Sequence, residues 1–490
     1  MDLNHAACYR AVCLRDARFD GRFFTGVKTT GVYCRSVCPA KTPLARNVTF
    51  FPTAAAAQEA GFRPCLRCRP ETAPDLGAWR GTSNTVTRAL TLIEAGALDE
   101  AGIDDLAERL GVGGRQLRRL FREHLGASPI AVAQTRRILL AKQLIHETRL
   151  PMAEIAFASG FGSIRRFNEA FSSLFGRPPG ELRRRALPDV PAGRHGEIEL
   201  LLRYQPPYDW AAMLDFLRKR AIDGIEVVTA ERYVRTIELS GEQGIVAVTQ
   251  ADGNALRASV QFPRLSVLPS IIARLRRVFD LAADPVEIGL HLAKDPALAS
   301  LVKERPGLRV PGAWDGFELA IRALLGQQIT VGAAVKLAGR LVARYGTVLP
   351  TPNGGLTHVF PRPEVLASAE LSSLGMPRAR AAALSAVAAA VVRDPQLFDA
   401  TGDLDQAIQR LRAIRGVGEW TAQYIALRQL REPDAFPAAD VALVRAMAGR
   451  DGDGAVLRST PLRASSALLA RAEAWRPWRA YAAQHLWAAI

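Results

Sequence analysis

The stretch "LRAIRGVGEWTAQYIALRQL", residues 411–430, places Gly416-Val417-Gly418 between two helical patterns. A tight glycine turn of this kind brings backbone N–H groups to the start of the second helix, where a phosphate can bind. A plain helix hairpin has the same pattern. These residues alone leave open a phosphate-binding turn and a purely structural one, so the surrounding sequence has to distinguish them.

A second candidate residue lies downstream, in "DAFPAADVALVRAM" (434–447), where Asp440 directly precedes an apolar helical pattern. An acidic residue at this position can cap the helix by accepting hydrogen bonds from its first N–H groups. The same carboxylate can also serve as a catalytic group in a pocket. The spacing by itself does not separate these two roles.

The neighbouring sequence resembles the helix-hairpin-helix DNA glycosylases, and most closely the AlkA-type 3-methyladenine DNA glycosylases. The resemblance covers about residues 197–490. It rests on the hairpin and on "AIRALLGQQITVGAAVKLAGRLVARYG" (320–346), "LGMPRARAAAL" (374–384), "FPAAD" (436–440) and "WRPWRAYAAQHLWAAI" (475–490). The strand-like patterns in "EIELLLRY", "GIEVVTAERYVRTIEL" and "GIVAVTQ" fit the amino-terminal α/β subdomain of that family.

The resemblance implies hydrolysis of the bond between a damaged base and deoxyribose, after the base has been flipped out of the duplex. Asp440 matches the catalytic aspartate, which stabilises an oxocarbenium-like sugar, activates water, or does both. Cationic N-alkylated purines would be attracted to electron-rich ring faces. The matching pocket aromatics are Trp420, Tyr424 and Trp487, and the matching DNA contacts are Gln328, at the position of a wedging leucine, with Gly416 and Gly418.

Two absences refine this expectation. Trp420 stands where lyase-type relatives carry a Schiff-base lysine, so a monofunctional glycosylase is expected. No cysteine follows Cys68, so neither the iron–sulfur cluster of other relatives nor an alkylguanine-accepting cysteine is expected in this sequence.

All six cysteines lie within residues 8–68, in two close pairs and two single positions. "GVYCRSVCPAK" (31–41) and "RPCLRCRP" (63–70) contain Cys34, Cys38, Cys65 and Cys68. Four thiolates at this spacing suit tetrahedral Zn²⁺, and the clustering favours a metal site in a reducing compartment over disulfides. The simplest interpretation is a structural zinc site. Cys8 and Cys13 fall outside the pattern.

Basic residues surround the four cysteines, and a zinc-bound thiolate retains nucleophilic character. Here "TTGVYCRSVCPAK", "NVTFF" and "AAGFRPCLRCRP" resemble the amino-terminal domain of the Ada methylphosphotriester-repair proteins. That resemblance implies that Cys34 accepts a methyl group from a methylated DNA phosphate, whereas chemistry alone does not choose among the four. Losing one negative charge beside DNA would then be worth about 1–4 kcal/mol. The basic positions are Arg35, Lys41, Arg46, Arg63, Arg67 and Arg69.

Two helix-turn-helix patterns occupy the middle of the chain, in "IDDLAERLGVGGRQLRRLFREHLGASP" (103–129) and "MAEIAFASGFGSIRRFNEAFSSLFGRPP" (152–179). An ordinary helical bundle with solvated arginines is the alternative. The tandem arrangement resembles the AraC-type DNA-binding domain over about residues 84–183. In the second unit Ile155, Phe161, Ile164, Phe167 and Phe171 are predicted core residues. The predicted DNA-reading residues are Arg115, Gln116, Arg118, Arg119, Ser163, Arg166 and Asn168.

The length and the charge distribution of the chain agree with a division into several domains. The chain has 490 residues, a hydrophobic content of 49% and a formal net charge of +16. Residues 1–185 hold 28 Lys and Arg against 17 Asp and Glu, so positive charge is denser there. Such a balance favours a polyanionic partner, although a merely soluble basic surface would also produce it.

The predicted fold is multidomain and mainly α with α+β parts. The predicted segments are a zinc and methyl-acceptor domain (1–75), a double helix-turn-helix domain (84–185), an α/β subdomain (197–305) and a helix-hairpin-helix domain (306–490). Expected partners are DNA with alkylated bases or phosphates, promoter DNA and RNA polymerase. The protein is expected to be a monomer in the cytoplasm, associated with the nucleoid. No membrane is expected as a partner. The alternatives are a transcription regulator with an inert glycosylase-like half, and a glycosylase with a purely structural cysteine site.

Overall fold

The structure is a computed structural model that describes residues 4–16, 19–73, 84–148, 150–184, 197–399, 404–448 and 461–490. It divides into two compact units, the first comprising residues 1–205, 251–273 and 281–283, and the second residues 206–250, 274–280 and 284–490. The predicted fold class is confirmed, with helices predominating and small sheets in both units. Most of the residues predicted to separate the first three segments lie outside the described ranges.

The chain starts with a small α/β module. Its sheet has the strand order β3-β1-β2-β4, in which β1 is antiparallel to both neighbours and β2 is parallel to β4. Apolar residues of α1 pack with Phe23, and those of α2 pack with Phe24 and Tyr33. The elements are α1 (His5–Leu14), β1 (Phe24–Val27), β2 (Val32–Cys34), β3 (Val48–Phe51), α2 (Ala54–Glu59) and β4 (Arg63–Pro64).

Two helix-turn-helix pairs follow in the first unit. Gly111 and Gly160 adopt left-handed backbone conformations, with φ of 68° and 87°, in the turns that separate the helices of each pair. Glycine adopts this conformation without a steric penalty, and so permits the tight turn. The helices are α3 (Asn84–Glu94), α4 (Ala97–Glu100), α5 (Ile103–Arg109), α6 (Gly114–Leu125), α7 (Pro129–Glu147), α8 (Met152–Ala158), α9 (Ile164–Phe175) and α10 (Pro179–Arg184).

The second pair is held together by aromatic rings. Phe161 packs edge-on to Phe167, with ring centroids 5.4 Å apart, and Phe167 and Phe171 lie 4.9 Å apart. All three are buried, as predicted, together with Ile155. The prediction that Ile164 belongs to this core is wrong, because its side chain is 42% exposed. Ile164 is the first residue of α9, and Phe161 in the preceding turn fills the position against Phe167 instead.

The remaining strands and helices belong to the region predicted as the AlkA-like half. In the first unit β5 (Glu197–Arg203) pairs antiparallel with β9 (Ala255–Gln261). In the second unit β6 (Glu226–Val228), β7 (Arg232–Leu239) and β8 (Glu242–Ala251) run antiparallel in sequence order. A further hairpin joins β10 (Thr347–Asn353) to β11 (Leu356–Val359).

Helices make up most of the second unit, and one of them, α12, also has residues in the first. Their bounds are α11 (Trp210–Arg218), α12 (Leu268–Val278), α13 (Pro285–Leu292), α14 (Pro296–Glu304), α15 (Gly316–Leu325), α16 (Val331–Tyr345), α17 (Pro363–Ser368), α18 (Arg378–Arg393), α19 (Leu404–Arg412), α20 (Glu419–Ile425), α21 (Val441–Ala448), α22 (Pro461–Ala472) and α23 (Arg479–Trp487). A π-helical turn, Ala426–Leu430, continues α20. In the described part of the chain, no helix is both long and apolar enough to cross a bilayer.

Asp295 fastens α14 to the last turn of α22 and to the turn that follows it. Its Oδ1 accepts hydrogen bonds from the Ala297 N–H and from Arg471 Nη2, at 2.9 and 2.8 Å. Its Oδ2 accepts from the Trp475 indole N–H at 2.7 Å. The hydrogen bond from Arg471 is the main cause that lowers the pKa of Asp295 to about 2.

We therefore predict a pH-dependent stability loss in Asp295→Asn. A carboxyl whose folded-state pKa lies below its unfolded value of 3.8 stabilises the fold above that value, and this stabilisation disappears as the pH falls towards 2. The variant should lose about 2 kcal/mol at pH 7, measured by urea unfolding followed by tryptophan fluorescence. Its difference from wild type should shrink between pH 4 and pH 2. Glu364→Gln, at an exposed site, should change the free energy of unfolding by less than about 0.5 kcal/mol.

Candidate functional site

The carboxylate of Asp440 is the meeting point of three segments of the second unit. Its Oδ2 accepts a hydrogen bond from the indole N–H of Trp420 on α20, at 2.8 Å. Its Oδ1 accepts from the indole N–H of Trp487 on α23, at 3.3 Å, and from the backbone N–H groups of Ala442 and Leu443 at the start of α21. Asp440 is thus both a helix cap and part of a side-chain cluster, so the two roles left open by the sequence coincide.

Aromatic rings flank this carboxylate. Trp420 and Tyr424 are stacked, with ring centroids 5.1 Å apart and an interplanar angle of 14°. Trp487 meets Tyr424 edge-on, at 6.4 Å and 69°. All three rings and Asp440 are partly exposed. The structure therefore brings together the four residues that the sequence predicted for base excision, and leaves them accessible.

Three residues beside the aromatic rings were missed by the sequence analysis. The buried guanidinium carbon of Arg428 lies 4.4 Å from the ring centroid of Phe216, 4.9 Å from that of Tyr424 and 5.3 Å from that of Trp487. Arg220 lies over the other aromatic partner, Phe216, at 3.9 Å. The one available sequence signal was the spacing of Trp420, Tyr424 and Arg428, which recur every four residues on one helix face.

Arg220 and Arg428 affect the pKa values in the pocket. Burial alone would raise the pKa of Tyr424, but the guanidinium groups of Arg428 and Arg220 outweigh it and lower the pKa. Burial is also the main cause that lowers the pKa of Arg428 to about 10. Arg428 is therefore protonated at neutral pH, and the pocket contains a fixed positive charge.

Gln328 lies exposed in the turn between α15 and α16, with a left-handed backbone φ of 58°. A non-glycine residue rarely adopts this conformation unless its neighbours impose it. The neighbour Gln327 donates from Nε2 to the Gly416 carbonyl at 3.2 Å and to the Thr421 hydroxyl at 3.0 Å. The turn that carries Gln328 is thereby fastened to the glycine hairpin, a contact that the sequence did not predict.

The hairpin itself separates α19 from α20. Gly416 has a φ of 89° and lies so close to Ala383 that a Cβ would stand 2.3 Å from the alanine methyl. Gly418 faces open space, because a Cβ at this position would meet no atom within 4 Å. Gly416 is thus required for packing, whereas Gly418 leaves room for an approaching backbone.

The four predicted zinc ligands come together in the first unit. Parallel pairing of β2 with β4 sets Tyr33 opposite Pro64, and so brings Cys34 and Cys65, one residue further along each strand, next to each other. The Sγ atoms of Cys34, Cys38, Cys65 and Cys68 all lie within 4.8 Å of one another. Sulfurs bound to one Zn²⁺ at about 2.3 Å are separated by roughly 4 Å, so this donor set fits a tetrahedral zinc ion.

The four thiols differ in exposure and in hydrogen bonding. Cys65 and Cys68 are buried, and their sulfurs accept from the backbone N–H groups of Arg67 and Arg35, both at 3.4 Å. Cys38 is partly exposed and hydrogen-bonds with the backbone of Ala40. Cys34 is also partly exposed, and no backbone N–H donor to it is found in the described chain. These surroundings separate the two buried sulfurs, which accept backbone hydrogen bonds, from those of Cys34 and Cys38, which are both partly exposed.

Two of the basic neighbours have structural partners. Arg35 donates from Nε to Asp20 at 2.8 Å and from Nη1 to the Cys68 carbonyl at 3.2 Å. Arg69 pairs with Glu71 and Glu147. The predicted basic collar is therefore smaller than the sequence indicated. Within the described ranges, no salt bridge involves Lys41, Arg46, Arg63 or Arg67.

The cysteine module packs against the first helix-turn-helix pair within the same unit. Lys142 of α7 is fully buried, and its Nζ donates to the Cys65 carbonyl at 3.2 Å and to Glu71 at 2.5 Å. Burial lowers the pKa of Lys142, and Glu71 opposes this shift. A zinc ligand is thereby one hydrogen bond away from the helix that connects the two pairs.

The predicted DNA-reading residues lie on the second helix of each pair, α6 and α9, or at its start. All of them are exposed except Ser163, which is partly exposed and caps α9 by accepting from the Arg166 N–H at 3.2 Å. The nearby Arg122 pairs with Glu59 of the cysteine module. The exposed predicted residues are Arg115, Gln116, Arg118, Arg119, Arg166 and Asn168.

Comparison with protein families identifies four modules. The metal binding domain of Ada matches residues 7–71, and a helix-turn-helix domain matches residues 106–185. The AlkA N-terminal domain matches residues 199–315, and the HhH-GPD superfamily of base excision DNA repair proteins matches residues 321–452. A Mycobacterium tuberculosis protein described as a probable bifunctional transcriptional activator/DNA repair enzyme AlkA is 42% identical over 99% of this chain and 96% of its own length.

The chain belongs to the AlkA-type bifunctional transcriptional activator/DNA repair family. Other relatives match only part of the chain: DNA-3-methyladenine glycosylase 2 of Escherichia coli is 35% identical over 58% of this chain and 95% of its own. The E. coli bifunctional transcriptional activator/DNA repair enzyme Ada is 36% identical over 26% of this chain and 34% of its own. The solved 3-methyladenine DNA glycosylase of Archaeoglobus fulgidus shares the fold, with a TM-score of 0.51 at 21% identity over 59% of this chain and 96% of that one.

For a member of this family with the observed sulfur cluster, we predict one Zn²⁺ per chain, measured by elemental analysis of the purified protein. Cys65→Ser should lower the zinc content substantially, because serine removes one of four sulfur ligands. Cys13→Ser is the matched control, since Cys13 lies outside the cluster and is exposed. A wild-type protein that carries no zinc, or equal zinc in the two variants, would contradict the assignment.

Proposed function

We propose that this protein excises alkylated bases of the 3-methyladenine type as a monofunctional glycosylase, and that it repairs and senses methylphosphotriesters through Cys34. The excision half of the proposal is carried by one observation, the convergence of Trp420, Trp487 and the α21 N-terminus on the Asp440 carboxylate. The sensing half is supported by the partial exposure of Cys34, which Cys38 shares, and by the absence, in the described chain, of a backbone N–H donor to the Cys34 sulfur.

In base excision, the proposed role of Asp440 is electrostatic. Four N–H donors fix its carboxylate, so that its negative charge is in place before the sugar becomes cationic. A charge that needs no reorganisation stabilises a transition state efficiently. The C1′–N bond breaks with its electron pair leaving on the base, water adds to C1′, and the proton of the water passes to solvent or to the base. Trp420 at the position of a lyase-type lysine supports simple hydrolysis.

The aromatic residues hold the flipped base. Trp420, Tyr424 and Trp487 offer electron-rich surfaces beside Asp440, and a base carrying positive charge is attracted to such surfaces. The same charge makes an N-alkylated purine a good leaving group, which lessens the need for a general acid. The partial exposure of the cluster gives a base access to it.

DNA is proposed to contact the two turns that Gln327 joins. Gln328 would enter the gap left by the flipped base, since it is exposed on a backbone that its neighbours hold in place. Gly418 would let the DNA backbone approach the hairpin, while Gly416 lets the turn pack closely against Ala383. A glutamine at this position can fill the gap and hydrogen-bond the unpaired partner base, where an apolar side chain would only fill it.

For methyl transfer, Cys38, Cys65 and Cys68 would complete the zinc site with Cys34. Bound Zn²⁺ supplies charge that keeps the four sulfurs deprotonated. The Cys34 sulfur attacks the methyl carbon of the phosphotriester; a C–S bond forms, the C–O bond breaks, and its electron pair remains on the phosphate oxygen. Backbone N–H groups stabilise the other sulfurs and lower their nucleophilicity, which favours Cys34 as the acceptor.

Methylation would strengthen DNA binding, because it removes one negative charge from a cluster that faces a polyanion. The helix-turn-helix pairs would then read promoter DNA through Arg115, Gln116, Arg118, Arg119, Ser163, Arg166 and Asn168. Two pairs on one chain allow a monomer to contact successive major grooves. In this proposal the bound chain recruits RNA polymerase, which makes the protein an activator of its own repair response.

We predict that Asp440→Asn abolishes excision with little effect on stability. Asparagine still caps a helix, so the fold should be kept, while the release of 3-methyladenine from methylated duplex DNA should fall at least about 100-fold. Asp394→Asn is the control, because Asp394 is exposed and also accepts a backbone N–H, from Gln396. If the wild-type protein releases no base, the second candidate is favoured, a DNA-binding regulator with an inert glycosylase-like half.

DNA with labelled methyl groups tests the proposed methyl transfer to Cys34. After incubation with DNA that carries labelled methylphosphotriesters, mass spectrometry should find one label per chain, on Cys34. Cys34→Ser should take up none, while Cys13→Ser should match wild type. Label on Cys38 would overturn the choice of acceptor. Zinc-loaded wild-type protein that stays unlabelled would make the cluster purely structural.

A further inference from the structure

Arg428 lies at the end of a stack that the sequence builds on one helix face. Trp420, Tyr424 and Arg428 are spaced four residues apart, and the π-helical turn Ala426–Leu430 carries the last of them. Trp420 is parallel to Tyr424, and the guanidinium of Arg428 lies over the tyrosine ring at 4.9 Å. Turns of this type occur often at functional sites, because they shift one side chain out of regular helical register.

Arg428 carries a charge that no carboxylate among the described residues neutralises. Its Nη1 donates to the Pro311 carbonyl at 2.7 Å, and its Nη2 to the Gln484 amide oxygen at 3.4 Å. Its Nε has no hydrogen-bond partner, and within the described residues no salt bridge involves it. The side chain is only 3% exposed, so water screens this charge poorly. An uncompensated buried cation is costly, and such groups are frequently retained for function.

Arg220 adds a second positive charge close to that of Arg428. Arg220 lies 3.9 Å from the centroid of Phe216, and Arg428 lies 4.4 Å from the same centroid. Arg220 also faces Tyr424 closely enough to influence its titration. Trp487 stands between the two kinds of charge, since its indole N–H points to Asp440 and its ring face to Arg428. The pocket thus has a negative side at Asp440 and a positive side at Arg220 and Arg428.

We propose that Arg220 and Arg428 set the substrate range of the pocket, by assisting the departure of uncharged damaged bases and opposing cationic ones. This inference rests on the proposed glycosylase function. An uncharged purine leaves with the electron pair of the C1′–N bond and is therefore an anion as it departs. A nearby fixed cation stabilises that anion. A cationic N-alkylated purine leaves as a neutral molecule, gains nothing from the cation and is repelled by it on entering.

The proposed effects on the excision of uncharged and of cationic bases have opposite signs. A substitution that only weakens the fold would not produce both. Loss of packing or of stability lowers the activity on every substrate together. Removal of a positive charge should lower excision of an uncharged base and raise, or leave intact, excision of a cationic base. The ratio of the two rate constants is therefore the diagnostic quantity.

The test uses the full chain and two duplexes of identical sequence, with either 7-methylguanine (cationic) or hypoxanthine (uncharged) at one position. Single-turnover rate constants are measured for wild type, Arg220→Met and Arg220→Lys, then for Arg428→Met. Arg220 is partly buried, so its variants keep the test valid if the fully buried Arg428→Met fails to fold. Lysine retains the charge and serves as the matched control.

We expect the ratio of cationic to uncharged excision to rise about tenfold or more in the methionine variants, and to stay within about threefold of wild type in Arg220→Lys. An unchanged ratio in a folded Arg220→Met protein would overturn the inference while leaving the glycosylase function intact. Wild-type protein that excises only the cationic base would also overturn it. Wild-type protein that excises neither base would instead defeat the proposed function on which the inference rests.

Discussion

The carboxylate of Asp440 is the constraint around which the glycosylase-like half is arranged. Two indole N–H groups and two backbone N–H groups converge on it, from α20, α23 and the first turn of α21. These elements are far apart in the sequence, so the fold has to close before the cluster exists. Because a buried or half-buried carboxylate needs its lone pairs satisfied, the same contacts that hold the segments together also aim the negative charge. Packing and chemistry share one set of hydrogen bonds here.

The positive charge of Arg428 changes the electrostatic character of the aromatic pocket. Viewed as rings alone, Trp420, Tyr424 and Trp487 make a surface for a cation. Arg428 changes this, because its guanidinium already lies against two of those rings and against Phe216. The electrostatic character of the pocket therefore depends on Asp440, on the two arginines and on the electron-rich ring faces together.

In the first unit the decisive feature is the connection between the cysteine cluster and α7, the helix that joins the two helix-turn-helix pairs. Lys142 reaches from α7 to the backbone of Cys65 and to Glu71, and Arg69 links Glu71 to Glu147 at the end of the same helix. Small apolar contacts of Ala55 and Ala56 with Ala127 complete the interface. A buried charge network of this kind is rigid, because breaking one member leaves another uncompensated. These contacts thus hold the cysteine module against α7 within the first unit.

Features that depend on local spacing could be predicted before the fold was known. The two cysteine pairs follow from short-range rules of ligand geometry. For the glycine turn at Gly416, the paired helix-turn-helix patterns and Asp440, local rules gave candidates and left their roles open, and the resemblance to known families supplied the roles. Which side chains remain available for binding became clear from the packing of the folded chain. It exposed Ile164, engaged Arg35 and Arg69 in ion pairs, and brought Arg220, Phe216 and Arg428 to the aromatic rings. The physical reason is that exposure, ion pairing and cation–π contact are set by residues distant in the chain, whose approach no local pattern records.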